Sequence, residues 1–374
     1  MKPVILSLAS LASAIALSTA VAAAEKHPKV VISIKPIHSL VATVMRGVGK
    51  PDLIIDGAGS PHTYALKPSQ AAALQKADLV FWIAHELEAF LEKPIKSIPH
   101  NAVSIELMEA PGVKTLALRE GGPFEGHDHD HGESHGHEDE HKHEKDHGHD
   151  EKQDHADEHD HDHKAEKEHA DKHDHDEKGE HADKDDHDHK AEKEHDHEDE
   201  HHEVDAHIWL DPVNAKALIG VIKDALVKAD PAHRTTYEAN AAAANDRFSA
   251  LIRDVSATLA PVKDRKFVVF HDAYQYFENR FDVTAAGSIT VSPEVMPGAA
   301  RLGEIRGRLK TLGATCVFAE PQFEPKLVSV VIEGTAAHAG VLDPLGAEIE
   351  AGPELYPMLI RNMAGSIAGC LSKS

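Results

Sequence analysis

Residues 29–34 read KVVISI and residues 79–83 read LVFWI. Both runs are short, apolar and rich in β-branched or aromatic residues. A strand with one wet face alternates apolar and polar positions. A run without alternation is buried on both faces, as in a parallel sheet covered by helices. The same rhythm extends outward. The 29–34 strand leads to a helical segment over 39–46. A strand at 52–55 leads to a helix beginning near Ser69, 79–83 leads to a helix over 86–95, and 102–105 completes the set. Later in the chain, 266–270 reads KFVVF and precedes a helix over 273–281. Further strands are expected at 283–286, 316–319 and 341–342, with helices over 298–312, 325–339 and 353–371. Asp211 before Pro212, and Asp230 before Pro231, read as helix N-caps followed by a first-turn proline. No Gly or Pro interrupts 232–259, so a helix over 231–259 would run roughly 40 Å. The expected fold class is α/β: two lobes, each a parallel sheet with helices, joined by one long helix.

Between the two sets lies a different kind of sequence. Residues 127–202 hold 23 of the 32 histidines, and no Val, Ile, Leu, Met, Phe, Tyr, Trp or Cys. DHDHKAEKEH at 160–169 recurs at 186–195, a mark of duplication. Such a stretch cannot bury enough apolar surface to offset the entropy of ordering, and disorder is expected. Imidazole beside carboxylate is the ligand set of borderline divalent metals, zinc above all. The rival reading is a solvated linker. The stretch carries 32 acids against 10 lysines, leaving −3 of the formal −25 for the rest of the chain. An acidic chain of this kind argues against a nucleic-acid partner.

Lys2, an Ala- and Leu-rich run to Val21, and Ala22, Ala23 and Ala24 before Glu25 read as a secretory signal peptide with a small-residue cleavage site. Export is therefore expected. Cys316 and Cys370 are the two cysteines. In an exported protein an even count favours a disulfide, and the rival is a pair of zinc thiolates.

Ligands of open parallel sheets bind outside the carboxyl ends of the strands. Four residues fall in such loops. His62 lies in GAGSPHTY, His207 in DAHIWLDP, His271 directly after KFVVF, and Asp343 in LDPLG. Two come from each half of the chain. Three imidazoles and a carboxylate suit tetrahedral zinc at about 2.0–2.2 Å. Spacing alone does not make them converge. His38 is a candidate to approach the site from behind its ligands. Glu320 either orients a site histidine or caps the turn at Pro321. His27, His85, His100, His233 and His338 read as surface or packing residues.

A resemblance joins these residues. IKP at 34–36, GSPH at 59–62, YALKPS at 64–69 and ADLVFW at 77–82 resemble the zinc-specific substrate-binding proteins of bacterial ABC importers, the high-affinity zinc uptake family. So do HIWLDP at 207–212, FHDAYQYFE at 270–278, CVFAEPQF at 316–323 and LDPLG at 342–346. The match spans essentially the whole mature chain, and a histidine-rich insertion is itself a trait of the zinc members. The resemblance implies a periplasmic protein that binds zinc between its lobes through His62, His207 and His271, with Asp343 or water fourth. It implies a Cys316–Cys370 disulfide and an ABC permease as partner. Some members carry Glu before the first histidine, where this chain has Pro61. Manganese relatives carry Glu where this chain has His271, and imidazole there moves the site toward zinc.

The expected organisation is a leader at 1–24, a first lobe from 25–126 and 203–230, an insertion at 127–202, a linking helix at 231–259 and a second lobe at 260–374. A monomeric binding protein, not an enzyme, is expected. The rivals are a zinc buffer, with the insertion as its working part, and a zinc hydrolase. No HExxH helix or nucleophile elbow supports the hydrolase.

Overall fold

The computed structural model describes residues 27–97, 102–119, 124, 204–290, 297–312, 316–323 and 326–373. The expected leader at 1–24 and insertion at 127–202 lie outside them. Among the described residues no helix is long and apolar enough to cross a membrane.

The first lobe contains β1 (Val30–Ile32), α1 (Lys35–Val44), β2 (Asp52–Leu53), α2 (Pro68–Leu74), β3 (Leu79–Trp82), α3 (His85–Lys96) and β4 (Val103–Glu106). Its sheet runs β2-β1-β3-β4, and every pairing is parallel. The second lobe contains β5 (Lys266–Val269), α6 (Gln275–Phe281), β6 (Thr284–Ser288), α7 (Ala299–Leu312), β7 (Cys316–Ala319), α8 (Lys326–Ile332), β8 (His338–Val341) and α9 (Leu355–Leu371). Its order, β6-β5-β7-β8, repeats that of the first lobe, again all parallel. Central strands β1, β3 and β7 are buried along their length, whereas edge strands β4 and β8 are largely exposed. This is why the central strands read as unbroken apolar runs.

Between the lobes run α4 (Pro212–Ala229) and α5 (Arg234–Leu259). Asp211 caps α4, its carboxylate accepting from the Val213 N–H at 2.7 Å. The second expected cap is corrected. Asp230 makes no cap; Pro231–His233 form a 3-10 turn and α5 starts at Arg234. The Asp230 carboxylate instead accepts from the Tyr237 hydroxyl at 2.9 Å and pairs with the His233 ring. α5 buries Tyr237, Ala241, Ala244, Phe248, Leu251, Val255 and Leu259, one stripe at helical spacing. It packs on α1, α4 and α9, and the resulting core is continuous through both lobes. Other boundaries differ too. α1 begins at Lys35, where Pro36 suits a first turn. α8 stops at Ile332, and the chain re-enters the sheet at His338, three residues before the expected strand.

Cys316, the first residue of β7, is disulfide-bonded to Cys370 in the last turn of α9, 54 residues on. Closing such a loop restricts the unfolded chain by roughly 4 kcal/mol in the chain-entropy picture. The bond fastens the final helix to the sheet that carries the site.

In both sheets the strand order reverses beside the first strand, and a crevice opens there at the carboxyl ends. In the first lobe Glu88 fills it. Glu88 leaves helical geometry (φ −122°, ψ 50°) within α3. Its carboxylate accepts from Ile83 N–H at 2.7 Å and Ala84 N–H at 3.3 Å. It is fully buried, and burial pushes its pKa up to about 7. The native state thus holds this proton more tightly than the unfolded chain. The stability tied to the neutral carboxyl is complete in acid and lost as pH climbs to about 7. Glu88→Gln removes that loss. Denaturation of metal-free protein should show the variant gaining roughly 3 kcal/mol on wild type between about pH 5 and about pH 8. Parallel stability curves for the two proteins would refute the assignment.

Candidate metal centre

In the second lobe the equivalent crevice holds His271, two residues past the end of β5, and Glu320, directly after β7. Glu320 Oε1 lies 2.7 Å from His271 Nδ1 and 3.4 Å from its backbone nitrogen. Of the two roles open to Glu320, orienting a site histidine is the one this geometry displays. His207 precedes a 3-10 turn at Ile208–Leu210. Asp205 Oδ1 accepts from its backbone N–H at 3.0 Å and lies 2.7 Å from its Nδ1. This is an Asx turn whose carboxylate also orients the ring. His62 stands in the loop after β2.

One nitrogen from each of His62, His207 and His271 lies within 4.8 Å of the others. The ring centroids are 5.3–5.9 Å apart. His207 and His271 are buried, and their Nε2 atoms lie 3.4 Å apart. A tetrahedral ion at about 2.0–2.1 Å from two nitrogens sets them about 3.3 Å apart. A carboxylate on each Nδ1 keeps the proton there, so both Nε2 atoms present lone pairs toward the same point. Two facing acceptors are satisfied by a cation. The cavity is about 10 Å³, room for about one water-sized sphere. That is the scale of a single ion.

Burial, then the neighbouring rings of His207 and His271, hold the His62 pKa well below the ordinary imidazole value. Burial also pulls His271 down, but the charge and hydrogen bond of Glu320 outweigh it, and the net shift is upward. His62 therefore stays neutral into acid, while His271 takes a proton more readily than His62.

Asp343 is not brought into this group. Its Oδ1 accepts from the N–H groups of Leu345 (3.1 Å) and Gly346 (2.9 Å), and its Oδ2 from Ala347 (2.6 Å). The carboxylate is spent on folding its own loop. His38 is also elsewhere, with its Nε2 3.2 Å from the Pro51 carbonyl. His85, Glu86 and Glu106 form a second cluster of ligand-type atoms, but His85 and Glu86 are exposed. A groove of about 770 Å³ lies at the opposite, amino ends of β3 and β4, beside His27, Asp78 and Lys228, and contains none of these site residues.

Residues 30–370 match the family described as Zinc-uptake complex component A, periplasmic (ZnuA). The chain belongs to this family. The high-affinity zinc uptake system protein ZnuA of Brucella suis biovar 1 (strain 1330) is 53% identical over 344 residues, 92% of each chain. That of Paracoccus denitrificans (strain Pd 1222) is 38% identical over 364 residues, covering 97% of this chain and 98% of its own. Among solved structures, a crystal structure of ZnuA superposes with a TM-score of 0.64 at 22% identity, over 92% of this chain and all of that one. The periplasmic zinc-binding protein TroA of Treponema pallidum gives 0.66 at 16%, over 92% and 99%. These two likenesses show the fold.

The residue that reading by motif overlooked is Asp205. An acid two positions before a loop histidine is the signal that would have found it. Struts from both lobes hold this region. Tyr276 Oη donates to the Asp205 carbonyl at 2.6 Å, and Trp209 Nε1 to the Pro344 carbonyl at 2.8 Å. Arg280 grips Asp211 through two bonds, at 2.6 and 2.7 Å. Arg119 is paired with both Asp272 and Glu278. Replacing Asp205 by Ala frees the His207 ring, and divalent-metal affinity should fall about 10- to 100-fold. Asp205→Asn keeps an acceptor and should lose less. Unchanged calorimetric affinity in the Ala variant would contradict the orienting role.

Proposed function

We propose that this chain captures a zinc ion between its two lobes through His62, His207 and His271, and presents it to an ABC permease for import. The convergence of the three imidazoles on a cavity of single-ion size carries the reading. Membership of the zinc-uptake family and 53% identity to a named zinc uptake protein support it. Zinc here is cargo. Three neutral nitrogens suit it better than manganese, which favours oxygen donors. The chain acts as a monomer, exported by its leader at 1–24, with 127–202 inserted in the first lobe and α5 linking it to the second.

Hydrolysis is the less favoured reading. The carboxylates nearest the site, Asp205 and Glu320, are engaged with histidine Nδ1 atoms.

In chains lacking 127–202, His271→Ala should weaken zinc binding at least 100-fold, since a tridentate site loses one of three inner ligands. Competition against a chromophoric chelator measures this. Equal affinity in wild type and in a variant with all three histidines changed to Ala would sink the assignment.

The insertion is proposed as an auxiliary collector. It ends five residues before His207, and a tether raises the local concentration of whatever it holds. Cells carrying the 127–202 deletion should grow like wild type in ample zinc and fall behind under chelation. Growth equal to wild type at every chelator level refutes collection. Failure in ample zinc refutes an auxiliary role.

A further inference from the structure

Gln322 lies two residues past Glu320, in the turn after β7, and lines the same small cavity as the three histidines. Its two amide atoms are placed differently. Nε2 donates to Asp343 Oδ1 at 3.2 Å. That contact fixes which way round the amide stands, because a carboxylate offers only acceptors. Oε1 is then the atom left over. It is buried and has no hydrogen-bond partner among the described residues. Buried amide oxygens are almost always paired, so this one calls for a donor. Ser60 Oγ, in the first lobe's wall of the same cavity, is likewise buried without a partner among the described residues.

Resting on the zinc-capture reading, we propose that Gln322 Oε1 accepts a hydrogen bond from a water molecule that is the fourth ligand of the captured ion, with Ser60 Oγ as its second contact. Three imidazoles leave one tetrahedral position. Asp343 reaches it only by giving up three backbone N–H groups. A water on a divalent ion is a strong donor and needs acceptors of its own. Gln322 supplies a neutral one, and the charge of Asp343 on the far side of the amide polarises it toward stronger acceptance. Neutrality matters. A carboxylate in this place would draw the proton and make hydroxide, a nucleophile. An amide oxygen holds the water as water. Zinc is then retained without being put to work, and one of its four ligands exchanges without moving a side chain. That is the position at which a receiving ligand enters.

The test uses the full mature chain with less than one equivalent of cobalt(II), so that the preorganised site fills before looser ligands. Four-coordinate cobalt absorbs visible light far more strongly than six-coordinate cobalt, and the band reports this site. Azide is then titrated in, and release is timed against excess EDTA. Wild type should show the intense band, and azide should shift it. Gln322→Met, of similar length but without the amide, should keep the band, take azide at several-fold lower concentration and release cobalt several-fold faster. Ser60→Ala should move both readings the same way by less. An azide midpoint and release rate for Gln322→Met equal to wild type would overturn the proposal. So would a wild-type band indifferent to azide, which means that a protein side chain fills the fourth position. Absence of the intense band in wild type would instead bring down the zinc-capture reading on which this one stands.

Discussion

Two imidazole lone pairs are held facing each other across 3.4 Å, and much of the molecule can be understood as the apparatus that keeps them there. Left alone, His207 and His271 would turn, or share a proton. Carboxylates behind each ring prevent the turn. Asp205 and His207 come from one half of the chain, Glu320 and His271 from the other. The distance between the rings is therefore only as constant as the seating of the lobes. That seating is secured by a hydrophobic core continuous through both lobes and by polar struts across the join. Lys35, buried in the first lobe, donates to the Ala347 and Ile349 carbonyls at 3.0 and 2.6 Å. The Tyr356 hydroxyl donates to the Trp209 carbonyl at 2.8 Å, just past His207. Parting the lobes would expose that shared core and break these bonds together.

The two lobes share a sheet order but use their crevices differently. Each places a buried glutamate where the strand order reverses. Glu88 closes its crevice on itself, bonding to the backbone of its own loop, and burial keeps it largely protonated below about pH 7. Glu320 faces an imidazole, and its charge raises the His271 pKa against the pull of burial. A carboxyl with backbone donors braces a loop; a carboxylate with an imidazole aims a ligand.

How much of this the sequence discloses follows from what each element is bonded to. Central strands were legible because burial on both faces leaves an unbroken apolar run, as in residues 79–83. The end of α8 and the start of β8 were not, because VVIEGTAAHAGV carries small residues that suit helix, turn or edge strand alike. Asp211 and Asp230 each precede a proline and look the same as text. Only Asp211 caps a helix, since Tyr237 and His233 claim the other carboxylate. The three histidines were legible as loop residues at strand ends, and their grouping rested on family resemblance. Asp343 occupies the same kind of position, yet its oxygens go to the N–H groups of residues 345–347. Strand-end position says where a side chain starts. It does not say which donors reach it first.

Charge explains why a site built this way can both hold and surrender an ion. Asp205 and Glu320 stand one hydrogen bond behind the rings of His207 and His271. A divalent cation among the rings makes the buried assembly close to neutral, which lowers the desolvation cost that an isolated buried charge incurs. The same carboxylates make His271 a better base. When the ion leaves, a proton can take up part of the charge it balanced. On the zinc-capture reading, loading is an exchange of proton for metal. Affinity arises from aimed lone pairs and charge balance. A carboxylate as direct fourth ligand would tighten the grip but add a charged group that must be pulled away at delivery. Three neutral nitrogens with their charge held one bond back are the better compromise for a carrier.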